Sequence, residues 1–219
     1  LYIDKSDCVI GKQDNRITVK YKDGMVRTIP VESIDGITLL GHAQVTTQCI
    51  QECLKKGISL SYFSKGGHYF GRLSSTGHIK ASLQRKQAGL YDQPFALELS
   101  KKIIYAKIHN QIVVLRRYSK STNHNISDIE LHMKSALRKV NYVKSIEELM
   151  GYEGSAAKYY FKGLSICIDD AFKFEGRSKR PPRDAFTSML SLGYSILMNE
   201  LYGVIEIKGL NAYFGFLYR

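Results

Sequence analysis

The chain has 219 residues, 44% of them hydrophobic and 11% aromatic, with a formal net charge of +12. That apolar content excludes a mainly disordered chain, and the length allows one domain or two small ones. No run of about 18 apolar residues spans a membrane, and the start, Leu1 to Lys5, carries no basic-then-apolar leader. Leu1 in place of an initiator Met points to trimmed or omitted residues. Residues 1–73 read as strands and turns. Cys8 to Ile10 is extended, and Arg16 to Tyr21 alternates like a half-buried strand. Asp23-Gly24 turns the chain back into Met25 to Ile29, and Ser33 to Leu40 is another strand. Thr46 to Lys56 reads as a short helix stopped by Gly57. Strands at 58–63 and 68–73 follow, joined at Lys65-Gly66-Gly67.

Ser74 to His78 reads as a linker, after which the apolar period changes from 2 to 3.6. Ile104, Ile108, Ile112 and Leu115 form one helical stripe. Ser127 to Glu130 is a capping box ahead of Ile129, Met133, Ala136, Leu137 and Val140, and Ser145 to Glu148 is a second. A helix over about 153–173 is expected to bury Ala157, Tyr160, Phe161, Leu164, Ile168 and Phe172. A last helix, about 183–202, is expected to turn Phe186, Met189, Leu190, Gly193 and Leu197 inward. The expected fold is α+β: a small N-terminal β domain (1–75), then a larger all-α C-terminal domain (81–219).

The charge asks for a polyanionic partner, nucleic acid first. Residues 1–80 carry 11 basic and 7 acidic side chains, and 81–219 carry 21 and 13. Arg177, Lys179, Arg180 and Arg183 crowd one proline-stiffened loop that opens a helix, a place suited to phosphate; the alternative is a solvated loop with an Arg183–Asp184 pair. Lys134 with Arg138, and Lys158 with Lys162, each place two cations one turn apart, on a DNA track or a merely solvated face. Glu153 falls on the apolar face of its helix between Gly151 and Gly154. It is either a metal-binding carboxylate facing a cleft or a first-turn glutamate favoured by the helix dipole. The four cysteines form no C-x-x-C pair and no two histidines show H-E-x-x-H spacing, so reduced, partly buried thiols are expected rather than zinc. No G-x-S-x-G, Walker loop or helix-opening G-x-G-x-x-G occurs, and no RNP-type strand of exposed aromatics supports an RNA-binding reading.

Six stretches, in this order, carry a family resemblance: Gly41 to Thr47, Lys56 to Leu73, Lys107 to Gln111 (K-I-H-N-Q), Tyr152 to Ala157 (Y-E-G-S-A-A), Arg180 to Asp184 (R-P-P-R-D) and Gly209 to Leu217 (G-L-N-A-Y-F-G-F-L). Together they resemble the integrase-endonuclease subunit of CRISPR adaptation, which inserts new spacers into CRISPR arrays. The resemblance implies a cytoplasmic prokaryotic enzyme that cuts and joins DNA with Mg²⁺ or Mn²⁺. It also implies a homodimer through the β domain, the small CRISPR adaptation subunit as partner, and double-stranded protospacer and repeat DNA over the basic face. It makes Glu153 a metal ligand and catalytic residue. Tyr218 stands where the family has a histidine ligand, Ala212 where it usually has proline, and Thr187 where it often has asparagine. The family's aspartate ligand falls beyond Arg219. The 219-residue chain by itself is therefore expected to bind DNA with little turnover. The alternative is a catalytically inactive DNA-binding and assembly subunit of the same fold.

Overall fold

A computed structural model describes residues 1–174 and 184–218. The chain divides into two compact units: Leu1–Ala81 with Leu192–Leu210, and Ser82–Ser191 with Asn211–Arg219. The expected all-α part, 81–219, is not one unit. The stretch Leu192–Leu210 instead belongs to the first unit, where buried Asn199 accepts a 2.7 Å hydrogen bond from the Ser61 hydroxyl and Arg72 pairs with Glu206 at 2.5 Å.

The first unit carries two four-stranded sheets. One joins β1 (Tyr2–Ile3), β5 (Gly36–Leu40), β7 (Ser59–Phe63) and β8 (Tyr69–Leu73) in that spatial order. The other runs β4 (Val26–Pro30), β3 (Arg16–Lys20), β2 (Val9–Gln13), β6 (Gln44–Val45). The hairpin of β3 and β4 closes at Asp23-Gly24, as the turn residues required. The parallel pairing of β5 with β7 needs a crossover, supplied by α1 (Thr47–Lys56). Thr46 caps α1 by accepting from the Cys49 N–H at 3.3 Å, and Gly57 ends it at φ 73°, a conformation glycine adopts without steric cost. Ile10, Ile17, Val19, Ile37, Leu39 and Leu60 fill the core with the thiols of Cys49 and Cys53. All four cysteines are free and buried, as expected. Strand β3 departs from simple alternation. Thr18, which alternation turns to water, is buried along with Ile17 and Val19, since its hydroxyl lies over Gly11 on the neighbouring strand.

The second unit is helical, as anticipated: α2 (Ala81–Gly89), α3 (Pro94–Thr122), α4 (Ser127–Val140) and α5 (Ile146–Cys167), with the first residues of α6 (Ala185–Ile207). The stripe Ile104, Ile108, Ile112 and Leu115 is buried, as are Ile129, Met133, Ala136 and Val140. At 145–148 the box forms: the Ser145 hydroxyl accepts from the Glu148 N–H at 3.1 Å, and the Glu148 carboxylate accepts from the Lys144 N–H at 3.0 Å. The box expected at 127–130 does not form. Asn125 takes the Ser127 N–H and hydroxyl, and Glu130 turns to two cations instead.

Helix α5 starts seven residues earlier than expected and ends at Cys167. It buries Ala156, Gly163 and Cys167, leaving Ala157, Tyr160, Phe161 and Leu164 half-buried and Phe172 exposed. The reason is Gly163, which admits α3 and α4 together: a Cβ there would lie 3.0 Å from Leu115 and 3.2 Å from Ile129. Helix α6 also differs from its reading. Met189 and Leu197 are exposed, while polar Thr187 and Asn199 point inward, held by hydrogen bonds to Asp184 and Ser61. Among the described residues no helix is long and apolar enough to cross a membrane.

Candidate metal and DNA site

Glu153 is the eighth residue of α5, and the acidic residues of the first turn are Glu147 and Glu148. The first-turn explanation of Glu153 therefore falls, because the dipole effect fades within one turn. The flanking glycines serve no close backbone approach: a Cβ at Gly151 or Gly154 would meet nothing within 4 Å. The Glu153 side chain is 15% exposed, and its Oε1 accepts a hydrogen bond from the Lys107 ammonium of α3, itself 40% exposed. A mostly buried carboxylate is costly without a counter-charge, and Lys107 supplies it. One turn on along α3, Gln111 keeps a buried Oε1 with no partner among the described residues. Lys107 and Gln111 belong to the K-I-H-N-Q stretch, but nothing in its spacing showed that Lys107 meets Glu153.

Lys158 and Lys162 are exposed on α5 and form no ion pair among the described residues. At 3.6 residues per turn they lie roughly 140° and 180° around the axis from Glu153, so they share each other's side of the helix and not the carboxylate's. Lys134 and Arg138 are exposed on α4. Lys134 is partly neutralised, for Glu130 contacts its ammonium at 2.5 Å and the Arg116 guanidinium at 2.5 Å. Arg116 first, then Lys134, pulls the Glu130 carboxyl down to about 2. Arg177, Lys179, Arg180 and Arg183 lie outside the described residues. The end of their motif is described: Asp184 accepts from the Thr187 N–H at 2.7 Å and from its hydroxyl at 2.8 Å, capping α6.

The G-L-N-A-Y-F turn is held by a residue the sequence reading missed. The buried Gln87 side chain of α2 donates to the backbone oxygens of Asn211 (2.9 Å) and Phe214 (3.1 Å) and accepts from the Asn211 N–H at 2.9 Å. The edge-on Phe95–Phe216 contact, 5.7 Å between ring centres, fixes the segment further. Tyr218 beyond it is 64% exposed. Gln87 gave no signal in sequence because α2 has no visible apolar period, leaving a lone glutamine unremarkable. Among the described residues no group of three or more His, Cys, Asp or Glu side chains is placed to hold a metal.

Compared with known proteins, the chain matches the family model for CRISPR associated protein Cas1 over residues 1–219. The chain belongs to the Cas1 family. A CRISPR-associated endonuclease Cas1 of Mycobacterium tuberculosis is 40% identical over 220 residues, a match covering all of this chain and 64% of the relative. A Cas1 protein from Thermotoga maritima shares the fold at 23% identity, with a TM-score of 0.82 over all of this chain and 68% of that one. A chain of a Cas6-RT-Cas1–Cas2 complex is 25% identical, with a TM-score of 0.79 over all of this chain and 24% of its own length. The chain thus spans somewhat under two thirds of the length of that tuberculosis Cas1 relative. The β-region followed by helices is the Cas1 architecture, as the resemblance implied.

Proposed function

We propose that the chain is the metal-binding body of a DNA integrase-endonuclease of CRISPR spacer acquisition. The observation that carries this reading is the Glu153 carboxylate, mostly buried yet open to a cation, in a chain matched to Cas1 along its whole length. The seat fits a hard divalent ion: Mg²⁺ typically takes one or two carboxylates and completes its shell with water and phosphate oxygens. Bound there, Mg²⁺ or Mn²⁺ would polarise a scissile phosphate toward attack by a DNA 3′-hydroxyl or water. Glu153 would hold the ion, α3 and α5 would fix the direction of the carboxylate, and Gln87 would hold the turn that leads to Tyr218. Double-stranded protospacer and repeat DNA is the proposed partner, supported by the +12 charge. A Cas2-type small subunit is proposed from the Cas1–Cas2 complex among the similar structures. A homodimer through the first unit is proposed because β4 and β8 are edge strands whose Val26 and Phe70 are exposed. A second reading, an inactive DNA-binding and assembly subunit, is favoured by Tyr218 at the position where the family resemblance places a histidine.

Both readings require DNA binding dominated by phosphate contacts. Affinity is expected to fall with salt along a log–log slope of roughly −0.9 per phosphate neutralised on duplex DNA. The double substitution Arg180→Ala with Arg183→Ala is expected to flatten the slope by about two such increments, read by fluorescence anisotropy between low and physiological salt. An unchanged slope removes the 177–183 loop from the DNA surface.

A further inference from the structure

From the α3–α5 pairing we infer that Lys107 is a stand-in cation on Glu153, one that a divalent ion must displace before it binds. The inference rests on the metal reading above and adds a residue that sets how readily the site loads. Lys107 donates directly to Glu153 Oε1, one of the two carboxylate oxygens an incoming ion could take. An ammonium and a Mg²⁺ held against one carboxylate repel strongly in a partly buried setting, as two cations a few ångströms apart do. The two cations therefore compete for the carboxylate.

The surroundings agree with an exchangeable pairing. The glutamate is fixed, mostly buried on α5, while the lysine sits at the end of a flexible four-carbon stem and is 40% exposed. Of the two partners, the lysine is the one free to leave, and water receives its ammonium without a desolvation cost. Without the ion, Lys107 keeps the mostly buried carboxylate paired and aimed. With the ion seated, the displaced ammonium remains near the site and adds positive charge where a phosphate would arrive. Its role toward metal is positioning and competition, not coordination, because an ammonium has no acceptor.

The test is direct Mn²⁺ binding to the full-length protein carrying this chain. Free Mn²⁺ is measured by electron paramagnetic resonance at low ionic strength and without DNA, so that no turnover enters the readout. Lys107→Met is expected to bind Mn²⁺ about five-fold or more tightly than the unaltered protein, and Lys107→Gln is expected to shift the same way. Lys107→Arg is expected to bind more weakly, since a bidentate guanidinium is harder to displace. Glu153→Gln is expected to lose at least about ten-fold in affinity. If Glu153→Gln weakens binding while neither Lys107→Met nor Lys107→Gln tightens it, the competition is overturned and the metal role of Glu153 stands. If Glu153→Gln binds Mn²⁺ as well as the unaltered protein does, the metal reading itself fails, and the competition with it.

Discussion

Glu153→Ala in the full-length protein is expected to lower Mn²⁺- or Mg²⁺-supported strand joining about a thousand-fold or more while leaving duplex DNA affinity within about two-fold. The magnitude follows from the role. Charge stabilisation by a bound metal is worth several kcal/mol at the transition state, and each 1.36 kcal/mol is about a factor of ten in rate. Binding survives because phosphate contacts come from cations, not from a carboxylate. Removing Glu153 also frees Lys107 from its pair, so a slight gain in DNA affinity is consistent with the account. Parallel assays on oligonucleotide substrates measure both quantities. Equal loss of binding and joining would mean that Glu153 holds the helices together rather than the ion.

Gly163→Leu is expected to destabilise the helical unit by about 1–2 kcal/mol in a chemical denaturation series. Two effects oppose each other here. Replacing a mid-helix glycine gains about 1 kcal/mol of helix propensity. Against it, even a Cβ would stand 3.0 Å from one Leu115 methyl carbon and 3.3 Å from the other, with Ile129 at 3.2 Å. A full isobutyl group must push α3 or α4 away, and overpacking of that kind costs about 1–3 kcal/mol, occasionally more. Overpacking wins for leucine. For alanine the two effects nearly cancel, so Gly163→Ala is expected to be close to neutral, and this separates crowding from the mere loss of a glycine. A Gly163→Leu protein as stable as the original would mean that α5 does not pack as described.

The fold was legible wherever local chemistry decided it. Asp23-Gly24, Gly57 and the Ser145–Glu148 box punctuate the chain as read, and the α3 and α4 stripes bury the residues their spacing selects. Errors arose where distant residues outvote local pattern. Gly163 lets two helices approach at once and rotates the buried face of α5 away from the apolar residues counted from Glu153. Polar Asn199 is buried on α6 because the hydroxyl of Ser61, 138 positions away, donates to its side-chain oxygen. Asn125 outcompetes the box that Ser127 and Glu130 spell, because Arg116 and Lys134 claim the glutamate. At the candidate site the sequence pointed to Glu153 but not to its company. Lys107 reaches it across 46 positions and Gln87 spans 124 to the Asn211 turn, contacts that no single-sequence periodicity contains.

The central claim is that Glu153 holds a divalent metal ion. Anomalous diffraction at the manganese edge, from crystals of the full-length protein soaked in Mn²⁺, tests it without any assay of activity. The account predicts a peak about 2.1–2.2 Å from a Glu153 carboxylate oxygen, with the Lys107 ammonium moved off that oxygen. A well-occupied manganese peak elsewhere in the protein, with the Lys107–Glu153 pair intact, would contradict it.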